Sequence, residues 1–264
     1  MNDLFRVNRV LPQIYHIQDA MDVCCTLVVG SAEALLFDTG YGLFDLPKAL
    51  RAITDLPLRV LLSHGHYDHT CGAAQFSEAW ITKAEVPICT YYTRPEQRAQ
   101  VLQQAEAKGL LPSNYDKESY LLKGAGNLQI LANKEIDLGG ISVHVLPMPG
   151  HTPGSIGLFV MPLRLMLVGD NWNPTTWVFF PECEPIAKYA ETMQNAMRCP
   201  FEHVLASHEY SLVPGERLRR YVDGLTPEAF ASARRAPVPP YESINTFACH
   251  PEPETTLFFD KDKL

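Results

Sequence analysis

"LLSHGHYDHTCGAAQF" (residues 61–76) places three histidines and an aspartate within six positions, directly after an apolar run. The run "LRVLLS" (58–63) has the content of a short strand, and His64 stands at its end. From Thr70 onward the chain reads as the opening of a helix, despite Gly72. At such a junction His64 and His66 can converge on one point, while Asp68 and His69 turn towards a second point nearby. Neutral imidazole and carboxylate are donors that suit zinc, manganese or iron. A charged surface loop is the plainer alternative for this hexapeptide, and the density of imidazole argues against it.

Three further residues repeat the placement of His64. His151 lies in "PGHTPGS", just past the strand candidate "ISVHVLPM" (141–148). Asp170 ends "LRLMLVGD" (163–170), and His208 follows "FEHVLAS" (201–207). Each is a donor immediately after an apolar strand, which puts all four groups on one edge of a sheet. Loops at the end of a rigid sheet hold ligands with little reorganisation. His16, His144, His203 and His250 lack such company and read as structural residues.

Around these motifs the spacing predicts strands at 13–18, 23–29, 33–40, 79–86, 128–132 and 156–162, and helices at 45–54, 94–110 and about 185–198. Pro95 opens the second of these helices and Gly109 stops it. Residues 111–127 read as loop-rich, and 171–185 ("NWNPTTWVFFPECEP") as irregular. Short helices are expected around 215–234, and a last strand at "TTLFFD". Strands and helices alternate irregularly, as in a layered α/β domain. We expect a single domain over 1–264, with a helical insertion at about 92–127 and a C-terminal extension at about 213–264.

The 264 residues carry a formal net charge of −8 and no block of Lys or Arg, which argues against a nucleic-acid partner. No apolar run is long enough to span a bilayer, and residues 1–17 contain no export signal. Seven cysteines at irregular spacing, with no CxxC pair, fit reduced thiols in the cytoplasm.

"HGHYDH", "PGHTPGS", the strand-terminal Asp of "LVGD" and the strand-terminal His of "LASHEY" resemble the metallo-β-lactamase superfamily, in matching order from about residue 10 to 212. "LLFDTG", with Asp38, is similar to the family's early Asp-Thr-Gly turn. The resemblance implies a four-layer αβ/βα sandwich with a two-metal site. One metal would take His64, His66 and His151; the other would take Asp68, His69 and His208; Asp170 would bridge them. Two divalent ions are implied, zinc first, with manganese or iron served by the same ligands. Asp38 would accept a hydrogen bond from a ligand imidazole, although a simple turn-forming role accounts for it equally well.

The implied chemistry is hydrolysis: a metal-bridging hydroxide attacks an ester, thioester or lactone carbonyl of a small molecule, and Asp68 orients the nucleophile. Asp170 argues against antibiotic hydrolysis, because true β-lactamases lack a bridging carboxylate there. The branch that resembles glyoxalase II and lactonases is favoured, without a counterpart of glyoxalase II's C-terminal helical domain. A phosphodiesterase is the alternative on the same site. An iron-dependent oxidoreductase, persulfide dioxygenase-like or diiron, is the alternative from another class. Trp172, Trp177 and Phe179 follow the bridging Asp and either line a substrate pocket or pack beneath a loop. Segment 92–127 is a second candidate wall. Cys71 is either a thiol near the metals or a small packed residue; Tyr67, Cys24 and Cys25 receive no role. Homodimers are common, and no feature of the sequence demonstrates one.

Overall fold

A computed structural model describes residues 4–264, so the first three residues of the stretch read above for an export signal lie outside the described residues. The chain begins with β1 (Phe5–Leu11), β2 (Ile14–Asp19), β3 (Cys24–Val29), β4 (Ala34–Phe37), α1 (Leu46–Arg51), β5 (Leu58–Leu61), α2 (Tyr67–Thr70), β6 (Ala79–Ile81), α3 (Val86–Tyr92), α4 (Pro95–Ala107), α5 (Lys117–Leu122) and β7 (Leu128–Ile130). It continues with β8 (Glu135–Asp137), β9 (Ser142–Pro147), β10 (Ile156–Met161), β11 (Leu165–Leu167), β12 (Thr175–Val178), α6 (Ile186–Ala196), β13 (His203–Ala206), β14 (Glu209–Pro214), α7 (Gly215–Asp223), α8 (Pro227–Ser232), β15 (Arg234–Arg235), β16 (Thr246–Cys249) and β17 (Thr256–Asp260).

Three sheets result. A seven-stranded sheet runs β1 to β7 in sequence order, a six-stranded sheet runs β14-β13-β11-β10-β9-β8, and a four-stranded sheet runs β12-β17-β16-β15. The first sheet changes from antiparallel to parallel pairing at β4 and β5. There β4 is short and fully apolar, as a strand covered on both faces must be: "ALLF" is buried throughout.

The chain falls into two compact units, Met1–Ser142 and Val143–Leu264. In the first, Leu27, Leu36, Val60, Leu62 and Ile81 form a core with Leu46 and Leu50 of α1. A second cluster seats the insertion, joining Val101, Leu102 and Ala105 of α4 and Tyr120 of α5 to Met21, Leu43 and Phe44. In the second unit α6 and α7 bury Tyr189, Met193, Leu218 and Tyr221 against Val168, Trp172 and Val204, and β17 adds Leu257 and Phe259.

Three local expectations differ from the structure. The helix expected from Thr70 onward instead ends there: α2 covers Tyr67–Thr70, and only a 3-10 turn at Ala73–Gln75 follows. Residues 111–127 contain α5, opened by Asp116, whose side chain accepts from Ser119 N at 3.0 Å; six residues are too few to show helical periodicity. The stretch 171–185 contains β12, which pairs in parallel with β17. Its partner lies far away in the chain, where no local pattern can announce it. The helix at 94–110 ends as expected, with Gly109 in the left-handed region at φ 67°.

Candidate metal centre

In the first unit β4 and β5 are parallel neighbours with Phe37 opposite Leu61, so the loops bearing Asp38 and His64 leave the same sheet edge. Asp38 occupies the left-handed region at φ 69°, which aspartate tolerates better than most side chains. Its carboxylate accepts from Ser63 N at 2.7 Å, Ser63 Oγ at 2.8 Å and His69 Nδ1 at 2.9 Å. Ser63 has one proton and gives it to Asp38, so its oxygen accepts from His64 Nδ1, 2.9 Å away. Both imidazoles are thereby set as Nδ1–H tautomers, with their Nε2 lone pairs available for a cation.

The rest of the motif is pinned from behind. Gly65 N donates to the buried Glu85 carboxylate at 2.7 Å. A Cβ on Gly65 would lie 2.6 Å from Cys89 N, so only glycine lets the loop press against α3. The short helix α2 then carries Asp68 and His69, with Thr70 Oγ1 bonded to His66 O at 2.9 Å. His64 Nε2 and His66 Nδ1 are 3.1 Å apart, and His69 Nε2 is 3.5 Å from Asp68 Oδ2.

In the second unit β11 and β13 are parallel, with Leu167 opposite Leu205, and Asp170 and His208 emerge together beyond them. Asp170 Oδ2 lies 3.7 Å from His151 Nε2 and 3.4 Å from His208 Nε2. Asn173, which the sequence reading overlooked, joins two of these residues. Its amide nitrogen donates to Asp170 Oδ1 at 3.3 Å, and its oxygen accepts from His208 N at 3.0 Å. His151 Nδ1 donates to the Trp177 carbonyl at 2.6 Å.

These donor spacings test the fit of a cation. Two ligands at about 2.0–2.1 Å from a tetrahedral zinc stand about 3.3 Å apart. The four spacings, 3.1, 3.5, 3.7 and 3.4 Å, cluster around that value. Three of them are long for hydrogen bonds to a carboxylate. The His and Asp clusters therefore suit divalent metal ions.

The remaining candidates divide by burial. Trp172 and Phe179 are fully buried, and Trp172 stacks edge-on to Tyr221 within the core of the second unit; both pack beneath the loop. Trp177 is half-buried. Tyr67 lies between Tyr41 and Tyr92, each 5.7 Å away, and Tyr92 meets the His66 ring at 4.7 Å. Burial pushes the Cys71 thiol up to about 12, so it stays protonated. Cys24 and Cys25 are buried and unbridged. Glu85 and Ser63 join Asn173 among the residues the sequence reading missed. A single acidic or hydroxyl residue outside the motif carries no pattern of its own.

Residues 19–199, more than half of the chain, match the Metallo-beta-lactamase superfamily. The chain belongs to the metallo-β-lactamase superfamily. It is 26% identical over 208 residues to the acyl-coenzyme A thioesterase MBLAC2 of Gallus gallus, covering 74% of each chain. It is 32% identical over 123 residues to the hydroxyacylglutathione hydrolase GloC of Haemophilus influenzae, covering 44% of this chain and 50% of that one. These metallo-β-lactamase relatives are named hydrolases, and the chain is an enzyme of that hydrolase branch, not a true β-lactamase. A metallo-beta-lactamase from Pontibacter korlensis aligns with a TM-score of 0.57 at 15% identity, covering 84% of this chain and 98% of that one. The α/β fold expected from the motifs is the metallo-β-lactamase fold. Among the described residues no helix is long and apolar enough to cross a membrane.

Proposed function

We propose that this chain is a dinuclear metal-dependent hydrolase of small-molecule esters, with thioesters as the leading class, and that residues 1–264 act as one catalytic domain. One ion would take His64, His66 and His151, and the other Asp68, His69 and His208, the donors that could hold a metal ion together with Asp170. The observation that carries this reading is Asp170. Its Oδ2 lies 3.7 Å from His151 Nε2 and 3.4 Å from His208 Nε2, within reach of one imidazole from each proposed set. Zinc is the leading metal, because imidazole and carboxylate at these spacings match its ligand preferences.

When bound, the two ions supply acidification of a water and polarisation of the substrate carbonyl. The protein residues perform the rest. Asp68, nearly buried, orients the attacking water and takes its proton as the bond from oxygen to the acyl carbon forms. The acyl carbon–sulfur bond then breaks, and Asp68 returns the proton to the departing thiolate. Asp38 and Ser63 hold His69 and His64 in the required tautomers, while Asn173 fixes Asp170 and the backbone of His208. The named activities of the two curated relatives support the thioester class. Seven unbridged cysteines support a reducing, cytoplasmic setting.

The test combines metal analysis with a substrate screen. Protein purified without added metal should carry two equivalents of zinc and hydrolyse a short-chain acyl-coenzyme A, and Asp170→Ala should lose both one metal equivalent and turnover. A single redox-active iron, or no turnover of thioesters, esters, lactones and phosphodiesters at full zinc loading, would overturn the proposal.

A further inference from the structure

His151 is oriented through its outer ring nitrogen. Nδ1 lies 2.6 Å from the carbonyl oxygen of Trp177, which can only accept, so the contact sets the Nδ1–H tautomer and directs the Nε2 lone pair towards Asp170. The orientation of this imidazole therefore depends on where β12 sits. A strand of four residues, flanked by Pro174 and followed within three residues by Pro181, cannot hold its position by itself.

What holds β12 comes from the end of the chain. β17 pairs with it in parallel, Trp177 opposite Phe258 and Val178 opposite Phe259, and Thr256 N donates to Pro174 O at 2.8 Å. At the other end Lys263 closes the pair. Its ammonium donates to the carbonyl oxygens of Phe180 at 3.0 Å, Pro181 at 2.7 Å and Cys183 at 2.8 Å, which occupies all three of its donors. Lys263 ends the short 3-10 turn Lys261–Lys263 that directly follows β17. Tyr241 backs the same turn, 6.2, 5.8 and 5.2 Å from the rings of Trp177, Phe179 and Phe180.

We infer that the C-terminal extension is a strut for the metal centre: Lys263, through β12 and the Trp177 carbonyl, is a positioning residue that sets the tautomer and placement of His151. A lysine that merely tidied a surface turn would leave the imidazole unaffected. Loss of the strut releases β12, lets the carbonyl withdraw from Nδ1 and admits the opposite tautomer, whose Nε2–H has no lone pair to offer a cation. The consequence for metal affinity rests on the proposed ligand set; the tautomer does not.

The test reads the tautomer directly. In full-length ¹⁵N-labelled protein at about pH 8, above the ordinary imidazole range, long-range ¹H–¹⁵N spectra of the histidine rings are recorded, with His151 assigned through His151→Gln. Wild-type His151 should show Nδ1–H alone, Lys263→Met a mixture of tautomers, and Lys263→Arg a return towards wild type. Chelator competition should show one of two zinc equivalents weakened about tenfold in Lys263→Met, the low end for losing an outer partner of a ligand. Unfolding curves verify that Lys263→Met remains folded. An Nε2–H wild-type ring, or a Lys263→Met protein with unchanged tautomer and zinc affinity, overturns the inference. Expected tautomers in a protein that binds no zinc would remove the proposed function and leave this inference standing.

Discussion

Asp38→Asn separates a turn former from a residue that sets a ligand. Asparagine matches the shape of aspartate and tolerates φ 69°, so the backbone is preserved. The change falls on three hydrogen bonds, from Ser63 N, Ser63 Oγ and His69 Nδ1. The asparagine oxygen can keep the Ser63 N bond, which places its NH2 group where Oδ2 faced Ser63 Oγ and His69 Nδ1. A donor there forces the His69 proton onto Nε2, the nitrogen turned to Asp68 3.5 Å away. Losing the outer partner of a ligand histidine lowers metal affinity about 10–100-fold, roughly 1.4–2.7 kcal/mol. Because one charge-assisted bond becomes neutral and two are lost, the metal-free fold should also weaken by about 1–3 kcal/mol. Zinc competition against a chelator and urea unfolding of the metal-free protein measure the two quantities. Wild-type zinc affinity within twofold, at two equivalents, would refute the reasoning and leave Asp38 as a turn former.

Two further outcomes follow from buried charge in the first unit. Arg98 is fully buried and donates to Thr93 O at 3.1 Å, Cys71 O at 2.8 Å and Gly124 O at 2.6 Å, tying α4 to the end of the metal-motif helix. Arg98→Met strands these carbonyls and should destabilise the protein by about 3 kcal/mol in urea unfolding; a loss below about 1 kcal/mol would contradict that role. Burial raises the Asp19 carboxyl from 3.8 to about 6, against hydrogen bonds from Val23, Met21 and Tyr41 backbone groups that lower it. Its folded value lies above the unfolded one, so its contribution is fully present below pH 3.8 and is lost as pH rises through 6. The shift amounts to about 3 kcal/mol, so metal-free Asp19→Asn should gain on wild type between pH 4 and 7, with that figure as the ceiling. Parallel stability–pH curves for the two proteins would count against it.

Much of the site was legible because its information is local. His64, His66, Asp68 and His69 announce themselves by density, and His151, Asp170 and His208 by their places just past apolar strands. Each parallel pair, β4–β5 and β11–β13, brings its own neighbouring strand ends together. The pairs belong to two different sheets, so the expectation of all four donors on one sheet edge is not met: strand ends read locally do not say which strands share a sheet. Asp38 was visible as a residue but not as a partner, since turn and ligand support share one Asp-Thr-Gly signature.

The sequence by itself therefore determined the α/β class, the superfamily and the candidate metal-binding residues, because strand periodicity and donor clustering are written within short windows. Only the tertiary structure decided that Trp172 and Phe179 are core, that Glu85, Ser63 and Asn173 hold the ligand loops, and that β12 is a strand at all. Those facts depend on partners distant in the chain: Glu85 for Gly65, Asn173 for the backbone of His208, β17 and Lys263 for the strand beside His151. A hydrogen bond or a strand pair between remote residues leaves no period in either segment, so only the folded chain displays it.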